Sequence, residues 1–243
     1  MQHRLRACHI LPMLISIVVL QFAGEVEAAA SLTPHIAEYK IKISVLGGTL
    51  RTQLQALESG YRAESSIEAT GMASLIAHGS IRENSVFLES TGGLRPVKFR
   101  SDDTLSRDEE TIDFDFDWEV GEISGTINGE EFNVGLDGIV HDRVSLQYGL
   151  MHDLINGIYR SDYSLQDAEK FKPLSITNVG TKQVKVPFGK FEAIGIQHQS
   201  AGSSRKTTLW CVEKLDFLPV IIEQHRKGKL QVRAVLTNYT ALP

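Results

Sequence analysis

The chain is 243 residues long and carries 30 acidic against 25 basic side chains, a formal net charge of −5 at pH 7. Nucleic-acid binding calls for a clustered basic surface, so this mildly acidic composition predicts no nucleic-acid partner. Hydrophobic residues make up 42% of the chain, which is enough for the core of one large β domain or two smaller ones.

Residues 1–30 have the three parts of a secretory signal. Basic residues supply the positive start, residues 10–22 are almost wholly apolar, and an Ala-Ala-Ala sequence ending at Ala30 offers small side chains for cleavage. A membrane span needs about 20 apolar residues. We therefore predict a signal that is cut after Ala30 and a mature chain with no stable membrane span. Retention of the segment as a membrane anchor is the alternative.

Cys211 is the one cysteine that remains after such cleavage, since Cys8 lies within the signal. An intramolecular disulfide is then impossible, and the hydrophobic core has to hold the exported fold together. We predict a single all-β domain over residues 31–243. Within it, two halves at 31–140 and 158–243 would be joined by a helix at 141–157.

Short runs of alternating apolar and polar residues follow one another along most of the chain, which is typical of half-buried antiparallel strands. The predicted strands cover residues 36–46, 50–57, 61–70, 80–90, 94–100, 110–120, 122–127, 130–136, 186–200, 205–213, 217–229 and 230–239. Turns are predicted at Gly47-Gly48, Gly92-Gly93, Gly121 and Asn128-Gly129, and one helical turn at residues 71–77.

The pattern changes between residues 142 and 156, where apolar side chains recur at helical spacing. We predict one central amphipathic helix here, with Asp142 or Asp137 capping its start and Asn156-Gly157 ending it. Its apolar residues are Val144, Leu146, Tyr148, Leu150, Met151, Leu154 and Ile155. They cover more than half of the helix circumference, so the helix should lie between sheets or plug the mouth of a curved one.

The elements therefore run in the order β-rich, one helix, β-rich. This order predicts a mainly β fold with the helix at its centre. The strands would form either a curved antiparallel sheet or open β-barrel, or else two packed β-meander halves. A sheet of ten or more strands has to close, split or curl around something.

Acids alternate with aromatic residues in the segment DFDFDWE, whose start is similar to that of a calcium-binding EF-hand loop. The similarity ends at the sixth and twelfth positions, which need Gly and Glu but hold Trp118 and Ser124. On a strand, the acids share one face and the aromatic residues the other. We therefore predict a solvated acidic face over an aromatic core face. The acids would protect a strand edge or recruit a basic partner.

The sequence contains no spacing that is typical of a catalytic or metal site. No two histidines of the mature chain stand two or four positions apart, and no GxSxG nucleophile motif occurs. His141 and Asp142 could form an acid/base pair or cap the helix, and Cys211 has the setting of a buried, inert thiol. We expect no catalytic residue, no metal and no cofactor, and hence no enzyme. A hydrolase is the remote alternative.

Residues 225–229 form a basic cluster on a glycine-containing hairpin turn, and Arg205-Lys206 opens the strand before it. Charges on such a turn most simply keep the turn solvated. Alternatively, the two basic groups lie close together and form a small site for an anion.

Several stretches of the chain form a recognisable family pattern. They are DRVSLQYGLMHDLINGIY, VPFGKFEAIGI, TTLWCVEKLDFLPVIIEQHRKGK and LTNY, preceded by AEYKIKISVLGGTL, GLRPVKFR and FDFDWEVGEISG. Together they resemble the DUF3108 family of uncharacterised exported proteins of Gram-negative bacteria. The resemblance implies a periplasmic location and brings no catalytic residues with it. The family's curved sheet with a helix is also loosely similar to the open barrels that carry lipoproteins between membranes.

Two functions follow from these expectations. The first is non-enzymatic binding of a lipid-like ligand in the curved sheet, with the helix as its adaptable apolar lining. The candidate lining residues are Leu146, Leu150, Met151, Leu154 and Ile155. The second is an envelope assembly or scaffold role, in which a strand edge or the acidic segment contacts another envelope protein. A carrier needs an apolar volume of a few hundred Å³, which a scaffold does not.

Overall fold

The computed structural model describes residues 30–75 and 78–243. The predicted signal up to residue 29 and the end of the predicted helical turn, residues 76–77, lie outside this part. The strands are β1 His35–Ile43, β2 Leu46–Leu57, β3 Gly60–Ala69, β4 Ser80–Ser90, β5 Gly93–Asp103, β6 Glu110–Asp117, β7 Glu122–Ile127, β8 Glu130–Gly135, β9 Val140–His141, β10 Asp162–Asp167, β11 Lys170–Val186, β12 Gly189–Ser200, β13 Arg205–Val212, β14 Leu218–Arg226 and β15 Lys229–Ala241. One α-helix, α1 Ser145–Ile155, follows β9, and short 3-10 helices lie at Gly71–Leu75 and Glu213–Leu215.

The fifteen strands form one continuous sheet in the order β8-β7-β6-β5-β4-β3-β2-β1-β15-β14-β13-β12-β11-β10-β9. Two meanders, one before the helix and one after it, are joined in the middle where β1 pairs with β15. All neighbours are antiparallel except β9 and β10. Within the described residues the sheet is curved and does not close, so the predicted curved antiparallel sheet is confirmed.

Strand β6 shows how the alternating pattern forms the core. Phe114 and Phe116 are buried, whereas Asp115 and Asp117 on the opposite face are exposed. Burial of the two aromatic rings, which lie 5.4 Å apart, is the driving force for this strand. The predicted solvated acidic face over an aromatic core face is therefore confirmed.

The predicted turn at Gly47-Gly48 is wrong. The chain reverses three residues earlier, at Ser44-Val45, and both glycines lie within β2. Gly48 is needed for a different reason: a Cβ atom there would lie 2.6 Å from the backbone oxygen of Glu68 on β3. This glycine lets two strands approach closely instead of reversing the chain.

Helix α1 is buried on almost every side, with nine of its eleven residues shielded from solvent. One side packs into the main core, where the ring of Tyr148 stacks on Phe87 of β4 at 5.6 Å. The other side joins a second apolar cluster built with β10 to β13. The helix thus lies in the hollow of the sheet between its two meanders, which agrees with the width of its apolar stripe.

Asp142 caps the start of this helix from a fully buried position. Its Oδ1 accepts hydrogen bonds from the backbone N–H groups of Val144 and Ser145, both at 2.8 Å. Its Oδ2 accepts from the hydroxyls of Ser145 at 2.8 Å and of Ser85 on β4 at 2.6 Å. One carboxylate therefore satisfies the helix terminus and ties the helix to the first meander.

The C-terminal end of the helix is closed by a Schellman motif. Gly157, at φ +67°, donates its N–H to Leu154 O, and Ile158 donates to Asp153 O. The Asp153 side chain accepts a 2.6 Å hydrogen bond from Arg160 Nε, and Arg160 Nη2 donates to Gly92 O between β4 and β5. Both ends of the helix are thus anchored to the first meander.

Removal of the Asp142 carboxylate tests how strongly this cap holds the fold. Asp142→Ala leaves four buried donors without an acceptor, and we expect it to lower the free energy of unfolding by about 3 kcal/mol. Asp142→Asn keeps an acceptor for the backbone N–H groups, and the two serine hydroxyls can rotate to accept from its amide. We expect that variant to lose only about 1 kcal/mol.

Urea unfolding followed by tryptophan fluorescence measures both differences. A loss below about 1 kcal/mol for Asp142→Ala would show that the helix holds its position without the cap.

Candidate ligand-binding groove

A groove of about 790 Å³ runs between helix α1 and strands β10 to β14. Its floor is apolar and is supplied by two residues of the helix and four of the strands. These are Leu146, Leu150, Leu165, Leu174, Leu209 and Ile222. Leu165 and Ile222 are only partly buried, so apolar side-chain surface faces the groove.

The groove changes from apolar to basic along the paired strands β13 and β14. Antiparallel pairing places each residue directly opposite one residue of the neighbouring strand, and alternate residues of each strand face the groove. From the floor to the rim, the cross-strand pairs are Leu209 with Ile222, Thr207 with Gln224, and Arg205 with Arg226. The register of two strands therefore forms three layers: apolar, neutral polar and cationic.

His198 lies in the neutral layer, opposite Thr207 on the neighbouring strand. Burial lowers the pKa of His198 to about 4, because the charged imidazolium loses hydration there. The side chain is therefore neutral at pH 7. It adds a polar but uncharged group between the leucine floor and the arginine rim.

The wall on the helix side carries an ion-pair network. Arg143 Nε lies 2.9 Å from Glu83 Oε1, and Arg143 Nη1 lies 3.7 Å from Asp167 Oδ1. Asp167 Oδ2 also accepts a hydrogen bond from Lys172. The basic groups on this wall are thus already neutralised by carboxylates.

The structure places the five predicted lining residues in three environments. Leu146 and Leu150 line the groove, and Leu154 lines a smaller adjoining pocket of about 190 Å³ together with Leu150. Met151 and Ile155 lie on the opposite side of the helix, in or against the main core. Helical spacing identified the apolar residues, but their division between core and groove depends on which meander each side of the helix faces.

A second concave region of about 770 Å³ lies on the first meander, and its character is different. Its lining is almost entirely polar and charged, with Ile112 as the one large apolar member among the described residues. Its charges pair with each other, as in Arg100 with Asp113 at 2.9 Å and Arg82 with Glu68 at 3.8 Å. Because it lacks an apolar floor, this region offers an apolar ligand little gain over water.

The side chains considered for catalysis do not form a reactive constellation in the described part of the chain. No hydrogen bond there joins a histidine to a serine, threonine or cysteine side chain. Asp142 is used as the helix cap, and the ring of His141 packs against Gly149. Cys211 is buried, and burial raises the pKa of its thiol well above the usual range.

Residues 30–75 and 78–243 contain no group of three or more histidine, cysteine, aspartate or glutamate side chains placed to hold a metal ion. In the same residues, no helix combines the length and the hydrophobicity that a membrane crossing requires.

The open sheet with a helix buried in its hollow defines a β-barrel-like class of protein. Within that class, this chain belongs to the DUF3108 family, a family of proteins of unknown function, whose model matches residues 36–232. The resemblance found in the sequence is therefore confirmed. No curated protein matches the chain.

One solved structure agrees with this class of fold. The chain is similar to a β-barrel-like protein of the domain of unknown function DUF1849 from Brucella abortus, with 14% identity and a TM-score of 0.58. The match covers 87% of this chain and 99% of that one, and it shows the fold alone. A protein named as exported from Bacteroides fragilis, with a YmcC-like fold, matches at 11% identity and a TM-score of 0.34, over 85% of this chain and 95% of that one.

The low pKa of His198 predicts a pH dependence of stability. The unfolded chain binds a proton at this side chain near pH 6.5, whereas the folded protein binds it only near pH 4. Protonation of His198 therefore favours the unfolded chain. The contribution of the neutral side chain to the free energy of unfolding is complete above about pH 6.5 and is lost as the pH falls toward 4. His141, with the same shift, adds to this loss.

Between pH 6.5 and 4.5, the free energy of unfolding should fall by about 1 kcal/mol less in His198→Gln than in the unaltered protein. The expected difference is small because the imidazole is only partly buried. Urea unfolding at both pH values gives the difference directly. Equal pH dependence in the two proteins would show that His198 titrates normally in the folded state.

Proposed function

We propose that this protein is an exported periplasmic protein that binds a hydrophobic, lipid-like ligand in the groove between α1 and strands β10 to β14, without enzymatic activity. The observation that carries the proposal is the partly exposed apolar floor of a groove of about 790 Å³. Ligand pockets of proteins typically have volumes of about 300–1,000 Å³ and a mainly apolar lining with a few polar groups.

The contrast between the two sides of the helix supports this function. On the side of the first meander, large aromatic rings fill the space, including Tyr39, Phe87, Phe99, Phe114 and Tyr148. On the side of the second meander, leucine and isoleucine form a smaller buried cluster without large aromatic rings except Tyr163, and a groove of about 790 Å³ borders it. Because apolar surface in contact with water is costly, a ligand that covers this floor gains about 25 cal/mol per Å².

The helix forms one wall of the groove and need not move for a ligand to enter. Its two ends are fixed by the Asp142 cap and by the Arg160 bridge to Gly92. A binding site on anchored elements is largely pre-formed, which lowers the ordering cost of binding. The same anchoring suits a single domain over residues 31–243, with one ligand site in its second half.

A tryptophan placed in the groove tests the proposal. Ile222→Trp puts a bulky ring over the floor, and Ile127→Trp on β7 is its matched control, because both isoleucines are partly buried on strands. We expect the unaltered protein and Ile127→Trp to bind the neutral probe Nile red equally well. Ile222→Trp should bind it at least fivefold more weakly, a difference of about 1 kcal/mol.

Fluorescence titration gives the affinities, and native mass spectrometry of protein purified gently from the periplasm, with organic extraction, shows whether a lipid is bound. Equal binding of the probe by both tryptophan variants would place the binding surface elsewhere. A ligand-free mass together with no uptake of the probe would favour the envelope scaffold role and a search for a protein partner.

A further inference from the structure

The rim of the groove contains two arginines with no acidic partner. Arg205 on β13 and Arg226 on β14 are directly opposed across the strand pair, and both are exposed and line the groove. Neither forms an ion pair with any carboxylate in residues 30–75 and 78–243. Two like charges at directly opposed positions repel each other, so their placement is unfavourable unless an anion binds between them.

The other basic residues of the groove cannot take this role. Arg143 is shared among Glu83, Glu110 and Asp167, and Lys172 donates to Asp167. Asp167 is the one acid among the described residues of the lining, and it lies on the far wall with these two. The unpaired positive charge of the groove is therefore concentrated at one end, on Arg205 and Arg226.

The loop that precedes β13 adds neutral hydrogen-bonding groups beside the arginines. Ser203 and Ser204 line the groove at this end, and Ser203 Oγ accepts a 3.1 Å hydrogen bond from the backbone N–H of Arg205. Arginine is well suited to such a position, since its planar guanidinium binds carboxylate and phosphate oxygens with two parallel hydrogen bonds.

From this arrangement we propose that the groove selects an amphiphile with one acyl chain and an anionic head group. The acyl chain lies on the floor of Leu146, Leu150, Leu165, Leu174, Leu209 and Ile222. The carboxylate or phosphate head binds Arg205 and Arg226, and the neutral layer between them holds the region where chain and head join. This inference rests on the proposed lipid-binding function and names the class of its ligand.

The test compares three ligands that share a twelve-carbon chain: laurate, dodecyl phosphate and the neutral 1-dodecanol. We expect the protein to bind each of the two anions at least tenfold more tightly than the alcohol at pH 8 in isothermal titration calorimetry. The double variant Arg205→Gln/Arg226→Gln should bind the anions as weakly as the alcohol, with binding of the alcohol unchanged. Raising the salt concentration should weaken binding of the anions only.

Arg62→Gln is the matched control, since Arg62 is an exposed strand arginine without an ion pair in the described residues and lies outside the groove. It should leave all three affinities unchanged. Equal binding of laurate and 1-dodecanol by the unaltered protein would overturn the anionic head group while leaving lipid binding intact. Absence of binding by all three ligands would instead overturn the proposed function itself.

Inorganic phosphate separates a free anion from a lipid head group. We expect it to bind at least a hundredfold more weakly than dodecyl phosphate, because it gains nothing from the leucine floor. Equal affinities for the two would show that the arginines form a site for a small anion and that the acyl chain has no part in it.

Discussion

The buried carboxylate of Asp142 determines where the helix lies in this molecule, and the groove depends on the helix. A single side chain accepts two backbone N–H groups of the first helical turn and two serine hydroxyls, one of them from β4. Burial raises the pKa of Asp142, and the surrounding donors oppose that rise. The hydrogen bonds of Asp142 thus fix the position of the helix, whereas the burial of its apolar side chains keeps it in the hollow of the sheet.

Because the helix is held against the first meander, the two meanders pack against it differently. Aromatic rings fill the space on the near side, where Tyr148 stacks on Phe87 and Phe99 lies 5.1 Å from Phe114. On the far side, branched aliphatic residues of the helix and the sheet form a smaller cluster, and part of it borders the groove. Because the helix is anchored to the first meander, a groove remains between the helix and the second meander. The residues that line this groove can then serve ligand binding.

Much of this architecture could be predicted from local patterns, because the spacing of apolar and turn-forming residues indicates the strands, the hairpin turns and the helix. What could not be predicted depends on partners distant in the chain. Neighbouring residues alone predict a turn at Gly48, whereas the reason for this glycine is the backbone of Glu68 on another strand, which leaves no room for a side chain. The sequence offers the nearness of Arg205-Lys206 and residues 225–229 as one alternative. The direct opposition of Arg205 and Arg226 could not be predicted, because it depends on a bulge at Trp210 and Cys211 that shifts the strand register.

The pairing of β1 with β15 has a consequence for how the molecule acquires its shape. Thr237 hydrogen-bonds the backbone of Glu38, a contact between residues 199 positions apart. Contacts of such separation form late, because the intervening chain must first give up its freedom. During synthesis the first meander can assemble, but its central edge has no partner until β15 has been made. The last strand of the chain therefore completes the middle of the sheet, and the two meanders become one continuous sheet only once β15 is in place.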